Sequence, residues 1–414
     1  MVQPPRLHLF QAYGIELEYM IIDRDTLDVR PITDELLKHE IGSYGSDFEN
    51  GNVTWSNELV LHVVELKSTN PESNLNALEH ALADNVRRIN NILAPWNATL
   101  LPSAAHPFMD PMSDTRLWPH ENNEVYSIYN KIFDCRGHGW SNLQSTHLNL
   151  PFYDDEEFAK LHAAVRMLLP ILPALCASSP ILDGKFTGQL NTRLKYYKQN
   201  QSKLPSITGR VIPEAVFSKR NYLNTVYEKI KSEISPYDPE NVLNPIWVNS
   251  RGAIPRFDRG SIEIRIMDIQ ECPAADIAIV SLVIESLKCL VKGSLMDFDT
   301  QLRWKTEPLV QILDQTIDHA EKSVIDDREY LAAFGLDRPS ATAGELWSHI
   351  QGKVIDTGNK LLEQWKKELD IILTQGTLGT RLLKALGPNP AKADIVGLYK
   401  RLSGCLAQNK MFLD

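Results

Sequence analysis

One stretch constrains the fold of this chain more than any other: residues Ser261–Asp268, which read SIEIRIMD. β-Branched residues alternate there with charged ones, and this alternation predicts a β-strand. Because successive side chains of a strand point to opposite sides, Glu263, Arg265 and Met267 are predicted to share one face. The isoleucines between them are predicted to pack into a core.

The Glu263 carboxylate and the Arg265 guanidinium are therefore expected about 7 Å apart along the strand. Such a pair is costly to bury in a large protein unless charged groups bind it. Mg²⁺ on Glu263 and a phosphate on Arg265 would be suitable partners. The alternative is a salt bridge on a solvated sheet face, and this stretch alone does not separate the two.

The charge balance of the chain argues against some classes of partner. Its 414 residues carry a formal net charge of -10 and contain no block rich in lysine and arginine. Nucleic acid and anionic membranes are therefore not expected as partners. Charged residues interrupt the most apolar windows, and the first residues do not resemble a signal peptide. The five cysteines are scattered and form no CxxC pair, so we expect a reduced, cytoplasmic protein without a disulfide framework or a zinc site.

Hydrophobic periodicity predicts three further strands or strand-like segments. They are Gly14–Asp23, Glu58–Lys67 and Gln144–Leu150, in which alternating or β-branched residues dominate. Residues 42–55 are interpreted as loop-like, and residues 101–139 as an aromatic stretch rich in loops.

Helical periodicity dominates the rest of the chain. A helix is predicted from about residue 71 to 93, and helices follow over most of the chain after residue 274. Several early strands, one late strand and a helical tail predict an α+β fold. We expect a single domain (1–414) with a sheet-forming core at about 10–295 and a helical C-terminal region at about 296–414.

Glutamates recur on the predicted strands. Glu16 and Glu18 are two residues apart, so both carboxylates should face one side, where a divalent cation would relieve their repulsion. A solvated sheet edge is the alternative. Glu58 and Glu65 fall on opposite faces of an ideal strand, unless a bulge intervenes or Glu58 lies in the preceding turn. His62, on the face opposite Glu65, is predicted to be a hydrogen-bonded core histidine.

A histidine and an asparagine share one face of the third strand. His147 and Asn149 could contact a metal or a phosphate there, and glutamates with one histidine suit Mg²⁺ or Mn²⁺ better than zinc. Thr187, Gly188 and Arg193 lie in a turn-rich segment. This segment is either a place where backbone approaches a ligand or an ordinary surface loop.

Arginines cluster just before and within the predicted strand Ser261–Asp268. Arg251, Arg256 and Arg265 form a local cationic group in an otherwise acidic chain, which suits a transferring phosphate, although ordinary surface arginines are the alternative. A P-loop, a Rossmann fingerprint, a GxSxG elbow and an HExxH helix are absent from the sequence. A nucleotide would therefore bind through metals and arginines on a sheet.

Four stretches in consistent order resemble glutamate–cysteine ligase family 2, carboxylate–amine ligases of the glutamine-synthetase-like superfamily. They are Gly14-Ile15-Glu16-Leu17-Glu18; the segment from Glu58 to Glu65-Leu66; Ala177-Ser178-Ser179-Pro180 with Gly184, Thr187 and Gly188; and the segment from Pro255-Arg256-Phe257 to Glu263-Ile264-Arg265. The succession, which spans roughly residues 10–295, is more specific than any single motif.

The resemblance implies a single catalytic domain in which helices flank an antiparallel β-sheet funnel that holds ATP and Mg²⁺. The implied metal ligands are the carboxylates of Glu16, Glu18, Glu58, Glu65 and Glu263. The implied nucleotide contacts are His147, Thr187, Arg193, Arg251 and Arg265, of which Arg251 and Arg265 would act as catalytic residues beside the transferred phosphate.

The resemblance also implies an activity, the ADP-forming ligation of a carboxylate to an amine through an acyl phosphate. The carboxylate would be the γ-carboxylate of glutamate, whereas cysteine, another amino acid, a polyamine or a small peptide remain open as the amine. Asn149 stands where the family often has a second histidine. Glu124–Tyr129 stands where members that make γ-glutamylcysteine often have an Arg-Tyr pair, which makes Arg136 the candidate replacement.

Two alternatives to a ligase remain at this point. One is a phosphotransferase that resembles guanidino kinases, and the other is an inactive member that binds nucleotide or a partner protein. Oligomeric state is open, and a homo-oligomer is compatible with the sequence.

Overall fold

The computed structural model describes residues 6–356 and 361–413. Its strands are β1 (Gly14–Asp23), β2 (Asp47–Asn50), β3 (Val53–Asn57), β4 (Val63–Ser68), β5 (Ala98–Leu101), β6 (Ser145–Pro151), β7 (Ile181–Leu182), β8 (Lys185–Phe186), β9 (Ala253–Arg256), β10 (Ser261–Asp268), β11 (Val324–Ile325) and β12 (Ala341–Thr342). Eight of them form one sheet in the order β2-β3-β4-β1-β6-β10-β9, with β5 also paired to β1. Every pairing in this sheet is antiparallel.

Helices account for most of the remaining described chain. They are α1 (Thr33–Ile41), α2 (Leu75–Leu93), α3 (Pro111–Asp114), α4 (Asn123–Phe133), α5 (His138–Ser141), α6 (Asp155–Leu168), α7 (Pro173–Cys176), α8 (Thr192–Tyr197), α9 (Lys219–Tyr222), α10 (Glu228–Ile234), α11 (Pro245–Val248), α12 (Pro273–Val291), α13 (Phe298–Arg303), α14 (Thr306–His319), α15 (Arg328–Ala333), α16 (Ala343–Asp356), α17 (Lys366–Gln375), α18 (Leu378–Leu386) and α19 (Lys392–Gln408). The predicted α+β class, with helices flanking an antiparallel sheet, is confirmed.

One face of the central sheet forms the main core. Ile15, Leu17 and Tyr19 of β1 are fully buried in a cluster that also contains apolar side chains of α2, α6 and α12. α2 carries its buried residues at helical spacing along one stripe, so that stripe faces the sheet while polar residues face water. Asn74 caps the helix by accepting a hydrogen bond from the backbone of Ala77.

The other face of β1 changes character along the strand. Glu16 and Glu18 come first, and the two positions that follow on this face are Met20 and Ile22. Met20 and Ile22 are fully buried in a second apolar cluster built largely from α18 and α19. The C-terminal helices therefore cover one end of the face that carries the glutamates, and leave the other end open.

Several loop predictions were wrong. Residues 42–55 contain β2 and most of β3, a hairpin that extends the sheet beyond β4, and residues 101–139 contain α3, α4 and the start of α5. The strand predicted at Glu58–Lys67 begins only at Val63. Glu58 lies in the connection between β3 and β4. Of the two alternatives for its position, a bulge or the turn before the strand, the second is therefore correct.

A β-bulge in β10 changes one predicted side-chain direction. Ile264 pairs with Leu148, but Met267 pairs with Thr146, so Arg265 and Ile266 together oppose His147 alone. The prediction that Met267 shares the face of Glu263 and Arg265 is therefore wrong. The Met267 side chain lies buried in the main core. The regular alternation of the sequence gives no sign of the extra residue.

Among the helices of the described residues, none combines the length and the apolar composition that crossing a bilayer requires.

Candidate active site

The register of β1 with its neighbours brings the predicted site residues together. Glu16 pairs with His147 on β6 and with Lys67 on β4, and Glu18 pairs with Glu65 on β4. Because these residues are directly opposite one another, their side chains lie on one face. Sequence-distant acidic and basic groups thereby form a single polar surface.

A compact group of three side chains occupies the centre of this surface. Donor atoms of Glu16, His147 and Glu263 all lie within 4.8 Å of one another. His147 Nδ1 is 2.8 Å from Glu16 Oε2, and Asn149 Nδ2 donates to Glu16 Oε1 at 3.0 Å. Two carboxylates and one imidazole at this spacing fit a hard divalent cation such as Mg²⁺ or Mn²⁺. These residues could therefore hold the predicted metal.

The remaining carboxylates crowd around this group. Burial raises the pKa of Glu58 to about 7, and the Glu18 carboxylate adds to this effect. Burial and the Glu16 carboxylate also hold the pKa of Glu65 well above its ordinary value. Like charges held together in a buried place are unfavourable, and a bound cation would relieve both the repulsion and the lost hydration. This crowding is a second observation that fits a metal.

Hydrogen bonds fix the direction of the histidine. Ser145 donates its backbone N–H and its hydroxyl to Glu18 Oε2, both at 2.7 Å, and its hydroxyl oxygen lies 2.9 Å from His147 Nε2. Burial acts to lower the pKa of His147, but the carboxylates of Glu18 and Glu16 outweigh it and raise that pKa. The imidazole is thus held between two glutamates.

Arginines line the opposite side of the surface. Arg265 Nε is 3.1 Å from Glu263 Oε1, and Arg256 Nη1 donates to Glu263 Oε2 at 3.3 Å. The Arg265 side chain is 28% exposed, so part of its guanidinium remains accessible to a ligand. Guanidinium groups bind phosphate oxygens through a planar pair of N–H donors. The site therefore has a carboxylate-rich side and an arginine-rich side.

Both sides open into one cavity of about 910 Å³. Of the site residues predicted from the sequence, the following line it: Glu16, Glu58, Glu65, His147, Glu263 and Arg265. The Glu18 carboxylate lies 3.7 Å from His147 Nε2 and bonds to Ser145, although Glu18 does not line the cavity itself. A cavity of this size can accommodate a nucleotide-sized ligand.

Arg251 does not join the other arginines. It is buried, and its Nε and Nη2 both donate to the Glu214 carboxylate at 2.6 Å, while Nη1 donates to the Ser206 carbonyl oxygen. The guanidinium is therefore engaged in a bidentate ion pair away from the cavity lining. Glu214 lies 37 residues earlier in the chain, and no local pattern indicated this pairing.

Three other candidates also lie away from the cavity lining. Thr187 bonds to Thr192 through their hydroxyls, at 2.6 Å. Arg193 is buried and bonds to Asp268 and to the backbone of Arg265. Arg136 pairs with Asp134 at the surface.

His62 is the core histidine that was predicted. It is fully buried, it bonds to the Ser141 carbonyl oxygen, and burial lowers its pKa to about 4.

Some lining residues were missed by the sequence reasoning. Lys67 follows Glu65 by two positions on β4, so its place on the same face could have been inferred from strand periodicity. Its ammonium lies 3.1 Å from Glu65 Oε2. Arg259, in the β9–β10 turn, and the exposed Trp247 of α11 also line the cavity. No sequence pattern distinguishes these two from ordinary surface residues.

Comparison with known families agrees with this geometry. The family described as glutamate-cysteine ligase family 2 (GCS2) matches residues 12–383 of this chain. The chain belongs to glutamate–cysteine ligase family 2. The family match extends into α18 and so covers most of the helical C-terminal region, beyond the residues that carried the sequence resemblance.

Two relatives show how the family similarity is distributed. A protein of Archaeoglobus fulgidus named "Uncharacterized protein" is 30% identical over 412 residues, which cover 97% of this chain and 100% of that protein. A Bradyrhizobium protein named "Putative glutamate--cysteine ligase 2" is 27% identical over 280 residues, which cover 66% of this chain but only 60% of that relative.

Two solved structures share the fold. Glutamate–cysteine ligase from Francisella tularensis, solved in complex with AMP, has a TM-score of 0.59 at 12% identity and covers 97% of this chain and 89% of that one. A bifunctional glutathione synthetase from Pasteurella multocida has a TM-score of 0.64 at 13% identity, covering 95% of this chain and 53% of that one. At these identities the likeness concerns the fold.

Proposed function

We propose that this protein is an ATP-dependent ligase that joins the γ-carboxylate of glutamate to an amine and forms ADP and phosphate. The observation that carries the proposal is the two-sided cavity surface, in which Glu16, His147 and Glu263 stand beside Arg265. Membership of glutamate–cysteine ligase family 2 supports the same reaction class. The AMP bound to the Francisella tularensis ligase supports a nucleotide as one of the ligands.

The first step would activate the carboxylate, because a free carboxylate is a poor acyl donor. A carboxylate oxygen attacks the γ-phosphorus of ATP, the bond from that phosphorus to the ADP oxygen breaks, and an acyl phosphate forms. Arg265, and Arg256 beside it, would stabilise the negative charge on the transferring phosphoryl oxygens. Mg²⁺ held by Glu16, His147 and Glu263 would supply neutralisation of the phosphate charges when it is bound.

The second step would form the amide. The amine nitrogen attacks the acyl carbon and loses a proton, the carbon–oxygen bond to phosphate breaks, and inorganic phosphate leaves. The protein would contribute mainly by holding the two reactants together and by keeping Arg265 beside the oxyanion. Water must be excluded in this interval, because it would hydrolyse the acyl phosphate.

A panel of amines tests the proposal. The purified protein would be incubated with ATP, Mg²⁺, glutamate and one amine at a time, with phosphate release and product mass as readouts. We expect stoichiometric ADP, phosphate and a γ-glutamyl amide with at least one amine. Release of AMP and pyrophosphate would refute the mechanism.

Product analysis and a binding measurement separate the two alternatives. A phosphorylated guanidinium product, formed without any amide, would identify a phosphotransferase of the guanidino kinase type. Absence of Mg·ATP binding in isothermal titration would instead favour an inactive member of the family.

A further inference from the structure

The β-bulge of β10 is held by a buried arginine. Arg193 of α8 is 2% exposed, and both of its terminal nitrogens have partners. Nη2 donates to the backbone carbonyl oxygen of Arg265 at 2.9 Å, and Nη1 donates to Asp268 Oδ1 at 3.3 Å. Arg265 is the first residue of the bulge, and Asp268 follows it in the same strand. One guanidinium therefore links the first residue of the bulge to the regular part of the strand that follows it.

The partner carboxylate is itself fixed. Asp268 is fully buried, and its Oδ2 accepts hydrogen bonds from the Ser178 backbone N–H and the Ser179 hydroxyl, both at 2.9 Å. The Ser179 hydroxyl oxygen in turn accepts from the backbone N–H of Arg193. A buried ion pair adds little net stability, because the loss of hydration offsets the attraction. This network is therefore better explained by the geometry that it imposes than by the stability that it adds.

The bulge determines the direction in which the Arg265 side chain points. A bulge re-aims side chains at the place where it occurs, and a one-residue change of register would turn the following residues to the opposite face. Here the bulge lies between Glu263, which belongs to the metal-compatible group, and Met267, which belongs to the core. Whatever fixes the bulge also fixes where the Arg265 guanidinium enters the cavity.

We propose that Arg193 is a positioning residue that holds the carbonyl group of Arg265 within the bulge and thereby aims the Arg265 guanidinium at the transferred phosphate. This inference rests on the proposed function, in which Arg265 binds that phosphate. The role replaces the direct nucleotide contact expected from the sequence, since the Arg193 side chain is buried and its terminal nitrogens are engaged. A lysine cannot reproduce the role, because a single ammonium lacks the planar fork that reaches both partners.

Four variants test the proposal: Arg193→Lys, Arg265→Lys, the double variant, and Arg166→Lys as a matched control. Arg166 of α6 is also buried, and it donates to two backbone carbonyl oxygens, those of Pro213 and Trp304, neither of which belongs to β10. Hydrogen exchange of the peptide Ser261–Asp268 is measured on each protein, together with kcat and with KM for ATP.

We expect Arg193→Lys to lower kcat about 10- to 100-fold while KM for ATP changes less than about threefold, because misplacement affects the transition state most. The double variant should lose no more activity than Arg265→Lys alone, since both changes disrupt one interaction. Exchange in the Ser261–Asp268 peptide should accelerate with Arg193→Lys but not with Arg166→Lys, and the Arg166→Lys control should retain kcat.

Other results would overturn the proposal. An unchanged kcat in Arg193→Lys, additive losses in the double variant, or a raised KM with kcat preserved would each exclude positioning through Arg265. If Arg193→Lys does not fold, Arg193→Gln, which keeps one amide donor, is measured in the same way. Absence of ADP and phosphate formation by the wild-type protein with every amine tested would instead refute the proposed function, and the exchange data would still decide whether Arg193 holds the bulge.

Discussion

The two faces of β1 place opposite demands on neighbouring residues of one strand. Ile15, Leu17 and Tyr19 pack into the main core, where burial of apolar surface is itself favourable. Glu16 and Glu18, on the other face, are also largely sequestered from water, where the loss of hydration is unfavourable. Burial thus favours the core face and disfavours the cavity face, and carboxylates perturbed in this way cluster at functional sites.

The first prediction separates the two faces most strongly. Replacement Glu263→Gln should lower turnover at least about 10³-fold, because it removes a charge from the metal-compatible group. The thermal midpoint without Mg²⁺ should change little, since relief of the repulsion from Glu16 is offset by loss of the ion pairs with Arg256 and Arg265, and Mg²⁺ should no longer raise it. Calorimetric scans with and without Mg²⁺, together with the phosphate-release assay, measure these effects.

A buried glutamate on a helix is the control for that prediction. Glu79 of α2 is also buried but bonds to Asn409 near the C-terminus, so Glu79→Gln should keep turnover. Wild-type activity in Glu263→Gln would remove Glu263 from the site.

The core face should respond in the opposite way. Replacement Leu17→Ala should lower the free energy of unfolding by about 2–5 kcal/mol, because it leaves a cavity in a fully buried cluster. The kcat of the folded fraction should remain within about twofold of the wild type, since the side chain points away from the ligand. Urea titration followed by tryptophan fluorescence measures the first effect. A kcat loss as large as that of Glu263→Gln, in fully folded protein, would contradict the division between the faces.

The third prediction concerns the kind of charge on the cavity face. Replacement Arg265→Lys keeps the charge but removes the planar fork, so kcat should fall about 10²-fold while the thermal midpoint changes little. Initial rates at saturating ATP and glutamate check this. A rate equal to the wild type would mean that only a point charge is needed at this position.

The smallest expected effect is a pH dependence of the free energy of unfolding that arises from His162 in α6. Burial, with the Arg166 and Arg251 charges, lowers the pKa of His162 to about 3, so this histidine is neutral in the folded protein. The unfolded chain takes up a proton below about pH 6.5, so this contribution to stability is complete at pH 7 and is lost as the pH falls. It should amount to about 2 kcal/mol between pH 7 and pH 5.

Replacement His162→Phe should remove that part of the pH dependence. The ring lies among Phe158, Phe217 and Tyr222, which can accommodate another aromatic side chain. Urea unfolding at pH 5 and pH 7 should show a smaller difference for the variant. Equal differences in the two proteins would refute the assignment.

Strand periodicity predicted the strands that carry the central group. β1, β6 and β10 were all recognised from alternation. The same alternation predicted which polar residues share a face within each strand: Glu16 with Glu18, His147 with Asn149, and Glu263 with Arg265. The β2–β3 hairpin was missed because its short strands mix charged, polar and aromatic residues. β9 contains Pro255, which the fold tolerates because β9 is an edge strand.

Pairings between distant residues were the part that sequence reasoning could not supply. Nothing near Arg251 indicates Glu214, so one of the predicted phosphate contacts proved to be part of a buried ion pair. The bulge at Arg265 arises from pairing with β6, and no residue in β10 signals it. Periodicity reports which side of an element a residue occupies, whereas its partners depend on tertiary packing.

The change from Glu18 to Met20 along β1 has a consequence for the direction in which a ligand can extend. Gly14 and Glu16 line the cavity, whereas Met20 and Ile22 are packed into the apolar cluster with α18 and α19. A ligand that contacts Glu16 must therefore extend along β1 toward Gly14 and not toward Met20. The strand is closed at that second end by apolar packing alone, so it offers no charged group to a ligand there.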